Sequence, residues 1–247
     1  MGAEPALSAE HGRLLVLADS AFPTGAFAHS WGLEWAVRRG WVTGADNLLA
    51  WIRDALRFGV APLDGPVVAR TARLAAECRA QERALALAFV SRAIRLSDDA
   101  ASFLPSREAR RAGGQLGRSL LAAAGAAFPA LRRNDAHGEL VQAARGHDER
   151  PQFPVAWGFA GTVLGVEAVA LVQGYLLNTV RQWAQVAMRT IPIGQSAALN
   201  LVGRLLDDTV RLAGEVVRGR RPPASIAPGW DLAVAGHSEL DARYFRS

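Results

Sequence analysis

The sequence contains no lysine, and all 28 of its basic residues are arginine. This absence excludes a P-loop lysine on nucleotide phosphates and a Schiff-base lysine. The one cysteine, Cys78, cannot form an internal disulfide, and we expect a reducing compartment. Cys78 continues the apolar helical series Val67, Thr71 and Leu74, so we predict that it is a core residue. A run of about 18 apolar residues is also missing, as is a basic, apolar leader. We therefore expect no signal peptide, no membrane association and a cytoplasmic location.

Potential metal ligands are few. No two of the five histidines have the i, i+3 or i, i+4 spacing of ligands on one helix. His237 with Glu239 and Asp241 is the nearest approach to a metal site, and a solvated tail explains it better. The nearest match to a serine-hydrolase elbow, residues 194–198, follows no strand. We therefore expect no metal, no cofactor and no catalytic residue.

The net charge of +5 and the isoelectric point near 10.7 could indicate nucleic-acid binding. However, the arginines are dispersed among 23 acids, and no basic block exceeds three residues. This pattern favours solubility and an acidic protein partner, and we expect no nucleic acid.

Strand signals are poor throughout, because alternation never persists and good helix formers dominate. With 247 residues and 50% hydrophobic content, the chain can bury a sizeable core. We predict an all-α, single-domain bundle of about nine or ten helices with a flexible C-terminal tail. The predicted division is a helical domain over 1–221 and a partner-binding tail over 222–247.

Several helices are predicted from caps and periodicity. Their predicted features are a short helix over 13–20, a helix from the Pro23 turn to about Gly40, a cap at Thr43 or Asp46, a helix opened by Asp64 and Pro66, a helix over 82–96, and a long helix capped by Ser106. Gly113, Gly114 and Gly117 predict close packing of a second helix there. The polar segment 129–154 predicts one short helix, and two buried helices carrying Gly158, Gly161 and Gly165 follow it.

The segment 195–218 predicts a two-sided helix. Its apolar seam is Leu199, Val202, Leu206, Thr209, Ala213 and Val216, and its reverse face carries i, i+4 ion pairs. Packing inside the domain and packing against a second copy both fit this seam. In the tail, Ser238 and Asp241 have capping-box spacing, which predicts a very short terminal helix that needs something to lie on.

The stretch 19–35 combines a turn at Pro23 and Gly25 with clustered aromatics. At helical spacing from Phe27, one stripe holds Trp31, Glu34 and Arg38. The stripe fits a buried aromatic anchor in which Arg38 satisfies Glu34. It also fits a protein-binding surface, because rigid aromatics dominate many interfaces. Spacing alone does not choose between these interpretations.

The stretch 19–34, Asp-Ser-Ala-Phe-Pro-Thr-Gly-Ala-Phe-Ala-His-Ser-Trp-Gly-Leu-Glu, closely resembles the N-terminal motif of the UreF family of urease accessory proteins. Later stretches resemble further family motifs in the same order and spacing: 106–108 with 117–121, 153–158, 189–196 and 243–247. The register holds from about residue 13 onward.

This resemblance implies an all-α protein that dimerises and has no chemistry of its own. UreF-like proteins join the accessory protein UreD, also called UreH, and the GTPase UreG to place nickel in apo-urease. By resemblance, this chain would hand the GTPase to urease and gate nickel release. The alternative is an all-α enzyme or small-molecule binder whose site consists of dispersed polar residues.

The resemblance also implies partner-binding residues. Those matching the N-terminal motif are Pro23, Gly25, Phe27, Ser30, Gly32, Leu33 and Glu34. Those matching the tail that contacts UreD are His237, Glu239, Arg243, Phe245, Arg246 and Ser247, with Tyr244 where the family usually has leucine. Arg189 and Gln195 lie in the 189–196 motif. The sequence departs from the family pattern at three further places. Ser238 stands between the histidine and the glutamate of the tail, Gln152 occupies a position that is often histidine in the family, and Gly25-Ala26 replaces a Gly-Gly pair.

Two hypotheses follow from these positions. Because the tail has no evident internal support, we expect residues after Gly236 to order only on binding UreD. Because their stripe mixes charge with aromatics, we expect Glu34 and Arg38 to face the GTPase.

Overall fold

The computed structural model describes residues 8–78 and 83–247, and these ranges are helical with no strand, which confirms the predicted all-α single domain. The α-helices are α1 (Ala9–Leu17), α2 (Leu33–Arg38), α3 (Ala45–Asp54), α4 (Ala61–Glu77), α5 (Arg83–Ser102), α6 (Arg107–Ala127), α7 (Pro129–Arg132), α8 (Asp135–Ala143), α9 (Phe153–Val163), α10 (Ala168–Thr190), α11 (Gln195–Gly219) and α12 (Pro228–Gly236). A π-helical turn, Ala55–Val60, joins α3 to α4. Short 3-10 turns occupy Ala26–Ala28 and His237–Glu239.

The centre of the core is formed by α4, α9 and α10, which pack against one another. Trp157 and Phe159 of α9 and Trp183 of α10 are almost completely buried. Gly158 lets α9 approach the backbone of α4 at Val68, where a Cβ would not fit. The prediction of two buried helices after the polar segment is therefore confirmed for α9 and α10.

The predicted helix start at Asp64 and Pro66 is wrong, because α4 begins earlier and contains Pro66. Pro62 and Pro66 lack backbone N–H groups, so they leave the carbonyls of Phe58 and Pro62 without helical donors. The N–H groups of Ile226 and Ala224 donate to those two carbonyls at 2.9 and 3.0 Å. The prolines thus attach the segment before α12 to α4.

A loop, and not the predicted second helix, packs against the glycines of α6. The backbone at 148–151 and the side chain of Gln152 lie where Cβ atoms of Gly113, Gly114 and Gly117 would be. Gln152 is buried, and its amide donates to the carbonyls of Arg110 at 2.8 Å and Glu149 at 2.7 Å. The predicted Ser106 cap is confirmed by a 3.1 Å bond from the N–H of Ala109.

Other predicted boundaries shift. The first helix, α1, starts four residues before the predicted 13–20, and α7 and α8 replace the single helix expected over 129–154. The helix predicted over 82–96 corresponds to α5, which continues to Ser102; its predicted first residue, Glu82, lies outside the described residues. Neither Thr43 nor Asp46 caps α3, because the Asn47 side chain accepts from the N–H groups of Thr43 and Gly44. Cys78 is half-buried against the core at the end of α4, and burial raises the pKa of its thiol.

The long helix α11 confirms the two-sided prediction only in part. Thr209 and Ala213 are buried, whereas Leu199 is 71% exposed and Leu206 41% exposed. Of the predicted i, i+4 ion pairs on the polar face, Arg211–Glu215 is present at 2.9 Å, while Asp208 pairs with Arg211 at i, i+3 spacing and 3.0 Å. No helix in the described part of the chain has the length and hydropathy needed to cross a bilayer.

Candidate partner-binding site

The motif over 19–35 is a loop followed by a short helix, so the stripe predicted from Phe27 to Arg38 is wrong as a single helix. Gly25 and Gly32 have φ values of +79° and +85°, and Trp31 has +49°. These left-handed conformations interrupt helical geometry until Leu33, where α2 begins. Gly32 is also required by contact, because α12 lies against its Cα at Val234.

Side chains of α10 and α12 hold the carbonyls of this loop. The indole N–H groups of Trp183 and Trp230 donate to Ser30 at 3.2 Å and to Trp31 at 3.0 Å. The amide of Gln182 donates to the carbonyl of His29 at 3.1 Å and also to Ala26. Buried polar groups of the loop are thereby satisfied, and the loop is fixed on the core.

Glu34 organises the contact between α2 and the tail. Its side chain is 1% exposed. Its carboxylate accepts from the backbone N–H groups of Tyr244 at 2.8 Å and Phe245 at 3.2 Å, and lies 3.1 Å from Nε2 of His237. The prediction that Arg38 satisfies Glu34 is wrong: Arg38 is exposed, and its guanidinium lies 5.6 Å from the centre of the Tyr244 ring.

Ser247 and its neighbours bind the loop from the other side. The backbone oxygen of Ser247 accepts from the N–H of Trp31 at 3.1 Å, and from the N–H and, at 2.8 Å, the hydroxyl of Ser30. Its hydroxyl lies 2.7 Å from Nδ1 of His29. Burial, together with Arg246 and His237, lowers the pKa of His29 to about 4. The N–H of Arg246 donates to Ala28 at 2.7 Å.

These contacts overturn the expectation that the tail lacks internal support. The helix predicted from Ser238 does not form, since α12 ends at Gly236 and only a 3-10 turn follows. The N–H groups of Tyr244 and Phe245 bond to Glu34 instead of to a helical carbonyl. The capping-box pattern was outweighed by a distant carboxylate that local sequence does not reveal.

Glu108, in the first turn of α6, joins the tail to a second helix. Its Oε1 accepts from Arg243 at 2.8 Å and lies 3.6 Å from Nδ1 of His237. His237, whose side chain is 1% exposed, thus lies between the carboxylates of Glu34 and Glu108. Phe245 is buried, with the guanidinium of Arg189 5.9 Å from its ring centre.

The predicted site residues divide by exposure. Those that are buried and hold the loop and tail together are Ser30, Gly32, Leu33, Glu34, His237, Phe245 and Ser247. Phe27 is half-buried, and those exposed are Pro23, Gly25, Arg38, Arg189, Gln195, Glu239, Arg243, Tyr244 and Arg246. We call the place where the loop and start of α2 meet the tail the motif–tail junction. Its contacts join residues 28–34 and Glu108 to the tail residues His237 and 243–247. Gln195, Pro23 and Gly25 make no hydrogen bond with the tail residues in the described part of the chain.

Sequence reasoning missed five residues of this junction: His29, Glu108, Gln182, Trp183 and Trp230. Glu108 lies in the 106–108 stretch that resembles a family motif, and none of the five carries a spacing signal, because their partners are distant in sequence. Gln182, Trp183 and Trp230 donate to loop carbonyls, whereas His29 and Glu108 contact tail side chains, and both kinds of contact require coordinates to identify.

The buried polar groups of the junction bond to one another. Both oxygens of Glu34 accept hydrogen bonds from protein groups. Among the described residues, no group of three His, Cys, Asp or Glu side chains could hold a metal ion. The junction therefore fixes a loop and a tail side by side and presents their exposed side chains together.

Comparison with known proteins places these features in a family. The UreF family model matches residues 42–206. A urease accessory protein UreF of Azorhizobium caulinodans is 35% identical over 228 residues, covering 92% of this chain and 90% of that protein. Proteins of the same name from Azoarcus sp. and Methylorubrum populi are 34% and 31% identical, covering 95% of this chain and 94% and 98% of their own lengths. The chain therefore belongs to the UreF family.

Proposed function

We propose that this chain is a cytoplasmic, non-enzymatic assembly factor of urease. In this role it bridges UreD/UreH and the GTPase UreG on apo-urease and promotes GTP-dependent insertion of nickel into the urease active site. Membership of the UreF family supports the accessory role, since the relatives carry the name urease accessory protein. The bridging and nickel steps extend that role through the resemblance of the motifs at 19–35 and 243–247.

The motif–tail junction is the observation that carries the proposal. It brings the two stretches that resemble family partner-binding motifs into one surface, although more than 200 residues separate them, as the Tyr244–Glu34 bond shows. On its exposed side lie Arg38, Glu239, Arg243, Tyr244 and Arg246. Exposed tyrosine and arginine flanked by buried anchors are typical of interface hot spots.

A cleft beside the tail extends this surface. It has a volume of about 250 Å³ and is lined by His29, Arg107, Glu108, Arg111 and Arg246. Arg111 is paired with Asp148, whereas Arg107 and Arg246 form no ion pair among the described residues, so the cleft keeps positive charge that suits an acidic surface on a partner. We assign the tail and this cleft to UreD/UreH.

The hypothesis that Glu34 and Arg38 form a separate GTPase-facing stripe is revised, because both residues contact the tail. Arg38 lies over Tyr244, so the predicted GTPase face and the predicted UreD face share one edge. Glu34 is buried and acts through the tail that it holds. We propose that Arg38 contacts UreG at this edge, and that the partners meet across it.

The proposal also includes a homodimer. Exposed apolar side chains on α1 and α11 supply a candidate face for a second copy. The exposed junction residues Arg38, Glu239, Arg243, Tyr244 and Arg246 lie on neither α1 nor α11, so the homodimer would use other side chains than those assigned to UreD/UreH and UreG.

The test is capture of partners from cells that make urease. Removing all residues after Gly236 is not a clean test, because it also removes the donors to buried Glu34. We expect Tyr244→Ala combined with Arg246→Glu to lose UreD/UreH while keeping the thermal unfolding midpoint of the unaltered chain, because both side chains are exposed. The matched control, Arg132→Glu on α7, should retain the partner.

Two outcomes would contradict the proposal. One is capture of UreD/UreH by the double variant as well as by the unaltered chain. The other is capture of neither UreD/UreH, UreG nor urease by the unaltered chain. A screen for bound small molecules would then test the alternative of a dispersed site.

A further inference from the structure

Four arginines line a cleft between α4 and α5, remote in sequence from the motif–tail junction. Arg70 and Arg73 stand on α4, and Arg92 and Arg95 on α5, each pair at i, i+3 spacing. The cleft has a volume of about 470 Å³ and is open to solvent, since Arg92 and Arg95 are exposed. Two helices thus direct two short rows of guanidinium groups at one groove.

The positive charge of this groove is only partly neutralised. Arg92 is bonded to Glu77 at 3.2 Å, and Arg73 donates to the carbonyl of Val217 at 3.1 Å. Arg95 donates to the neutral hydroxyl of Ser91. Within residues 8–78 and 83–247, no ion pair involves Arg70, Arg73 or Arg95.

Burial, and to a smaller extent neighbouring arginines, disfavours the charge of Arg73 in the groove. Burial, together with Arg220 and Arg70, lowers the pKa of Arg73. Arg220, the residue directly after α11, contributes to this shift from outside the groove. A bound anion would relieve this repulsion.

A second arginine-lined cleft in the same molecule shows the contrast. It is lined by Arg107, Arg110, Arg111 and Arg150, with acids beside them. Three of these arginines are paired with carboxylates: Arg110 with Glu149, Arg111 with Asp148 and Arg150 with Asp98. That cleft satisfies its own charge, whereas the groove between α4 and α5 does not.

The lining of the groove selects among anions. Leu74 and Leu96 lie among the arginines, so the groove has apolar as well as cationic surface. Glu77 and Asp99 also line it, and Glu77 is paired with Arg92, so the groove is a mixed rather than a purely cationic surface. An amphipathic helix can satisfy this mixture, with carboxylates toward the arginines and apolar side chains on the leucines.

We propose that the groove between α4 and α5 docks an acidic, amphipathic helix of a partner protein. Arg70, Arg73 and Arg95, which form no ion pair among the described residues, supply the charge complementarity. The half-buried Leu74, beside the largely buried Leu96, supplies the apolar contact. This inference is independent of the proposed function, because it uses none of the residues of the motif–tail junction.

The probe is a fluorescein-labelled synthetic helix of roughly 14 residues, about 21 Å long, with leucine on one face and glutamate beside it. Its fluorescence anisotropy is measured against the full chain. We expect Arg70→Glu with Arg95→Glu to weaken binding by about tenfold or more, because two attractions become repulsions. The charge-matched control, Arg132→Glu with Arg204→Glu, changes two exposed arginines outside the groove and should bind within about twofold of the unaltered chain.

A second probe keeps the glutamates and replaces each leucine by serine. We expect it to bind about tenfold more weakly, because the leucine contacts are lost. Helicity and thermal unfolding of each variant are checked by circular dichroism. If the glutamate variant unfolds, Arg70→Gln with Arg95→Gln takes its place and should still weaken binding severalfold.

Three outcomes would overturn the proposal. One is absence of saturable binding by the first probe. Another is an equal loss in the control variant, which would indicate diffuse attraction by net charge. The third is equal binding of the serine probe or of inorganic tripolyphosphate, which would make the groove a simple anion site.

Discussion

At the scale of single residues, Glu34 decides how the tail is held. Its carboxylate accepts from two backbone N–H groups and faces His237, all inside the fold. A buried donor that loses its acceptor destabilises the folded state by about 1–3 kcal/mol. The exposed neighbour Arg38 makes only a cation–π contact, which contributes about 0.5–1 kcal/mol at such sites.

We therefore predict that Glu34→Ala lowers the free energy of unfolding by about 2–4 kcal/mol, because the amides of Tyr244 and Phe245 lose their acceptor. Arg38→Ala, the control on the same helix, should lower it by less than about 1 kcal/mol. Urea unfolding followed by circular dichroism measures both. A Glu34→Ala chain that unfolds like the unaltered one but fails to bind UreG would favour the surface interpretation.

Asp64 gives a second residue-scale prediction, concerning pH. Burial raises the pKa of its carboxyl from 3.8 to about 7, while the hydrogen bond from Tyr175, at 2.8 Å, acts to lower it. Between these two pH values the folded chain keeps a proton that the unfolded chain releases. This group therefore makes stability fall as pH rises from about 4 to about 7.

We expect Asp64→Asn to remove this contribution, since an amide does not titrate, so its stability relative to the unaltered chain should increase with pH across that window. Tyr175→Phe removes the bond that lowers the pKa and should extend the decline to higher pH. Urea unfolding at a series of pH values checks both. A constant difference between Asp64→Asn and the unaltered chain would show that Asp64 has the same pKa in both states.

At the scale of elements, α4 is joined to the segment before α12 through its prolines. Ile226 is 71% exposed, yet its N–H donates to Phe58 at 2.9 Å. We predict that Ile226→Pro lowers the free energy of unfolding by about 1–3 kcal/mol, because the Phe58 carbonyl loses its donor. Ile226→Ala keeps the N–H and should stay within about 0.5 kcal/mol. Equal effects of the two changes in urea unfolding would show that the side chain, not the backbone bond, matters.

How far the sequence predicts each element depends on where its partners lie. The helix α6 was predicted with its cap, because Ser106 and the N–H of Ala109 are local to each other. The start of α4 was mispredicted, because Pro66 is tolerated only through a donor at Ala224, far along the chain. The junction followed the same rule: periodicity indicated that Glu34 needs a partner, but the nearest charge, Arg38, was not that partner.

At the scale of the whole molecule, two helices, α1 and α11, expose apolar side chains. Both α1 and α11 lie against α10: Leu14 of α1 contacts Gly174, Arg181 donates to the carbonyl of Ala18 at 2.8 Å, and α11 makes the most extensive helix contact with α10. Beside these contacts, Leu15 of α1 is 63% exposed and Val210 of α11 is 49% exposed. A stable interface buries about 800 Å² per partner, so we expect it to need more than the exposed side chains of one helix.

We predict that a second copy covers the exposed apolar side chains of both helices in a two-fold arrangement, so that changes on either helix disrupt the same dimer. Leu15→Glu with Val16→Glu on α1, and separately Leu206→Glu with Val210→Glu on α11, should each convert the dimer to monomer, because each introduces charges that are buried on association. Sedimentation velocity measures the mass, and Ile226→Glu, equally exposed but on another element, is the control. Loss of the dimer in only one of the two double variants would show that only that helix lies in the interface. Loss of the dimer in the control would show that added charge alone dissociates it.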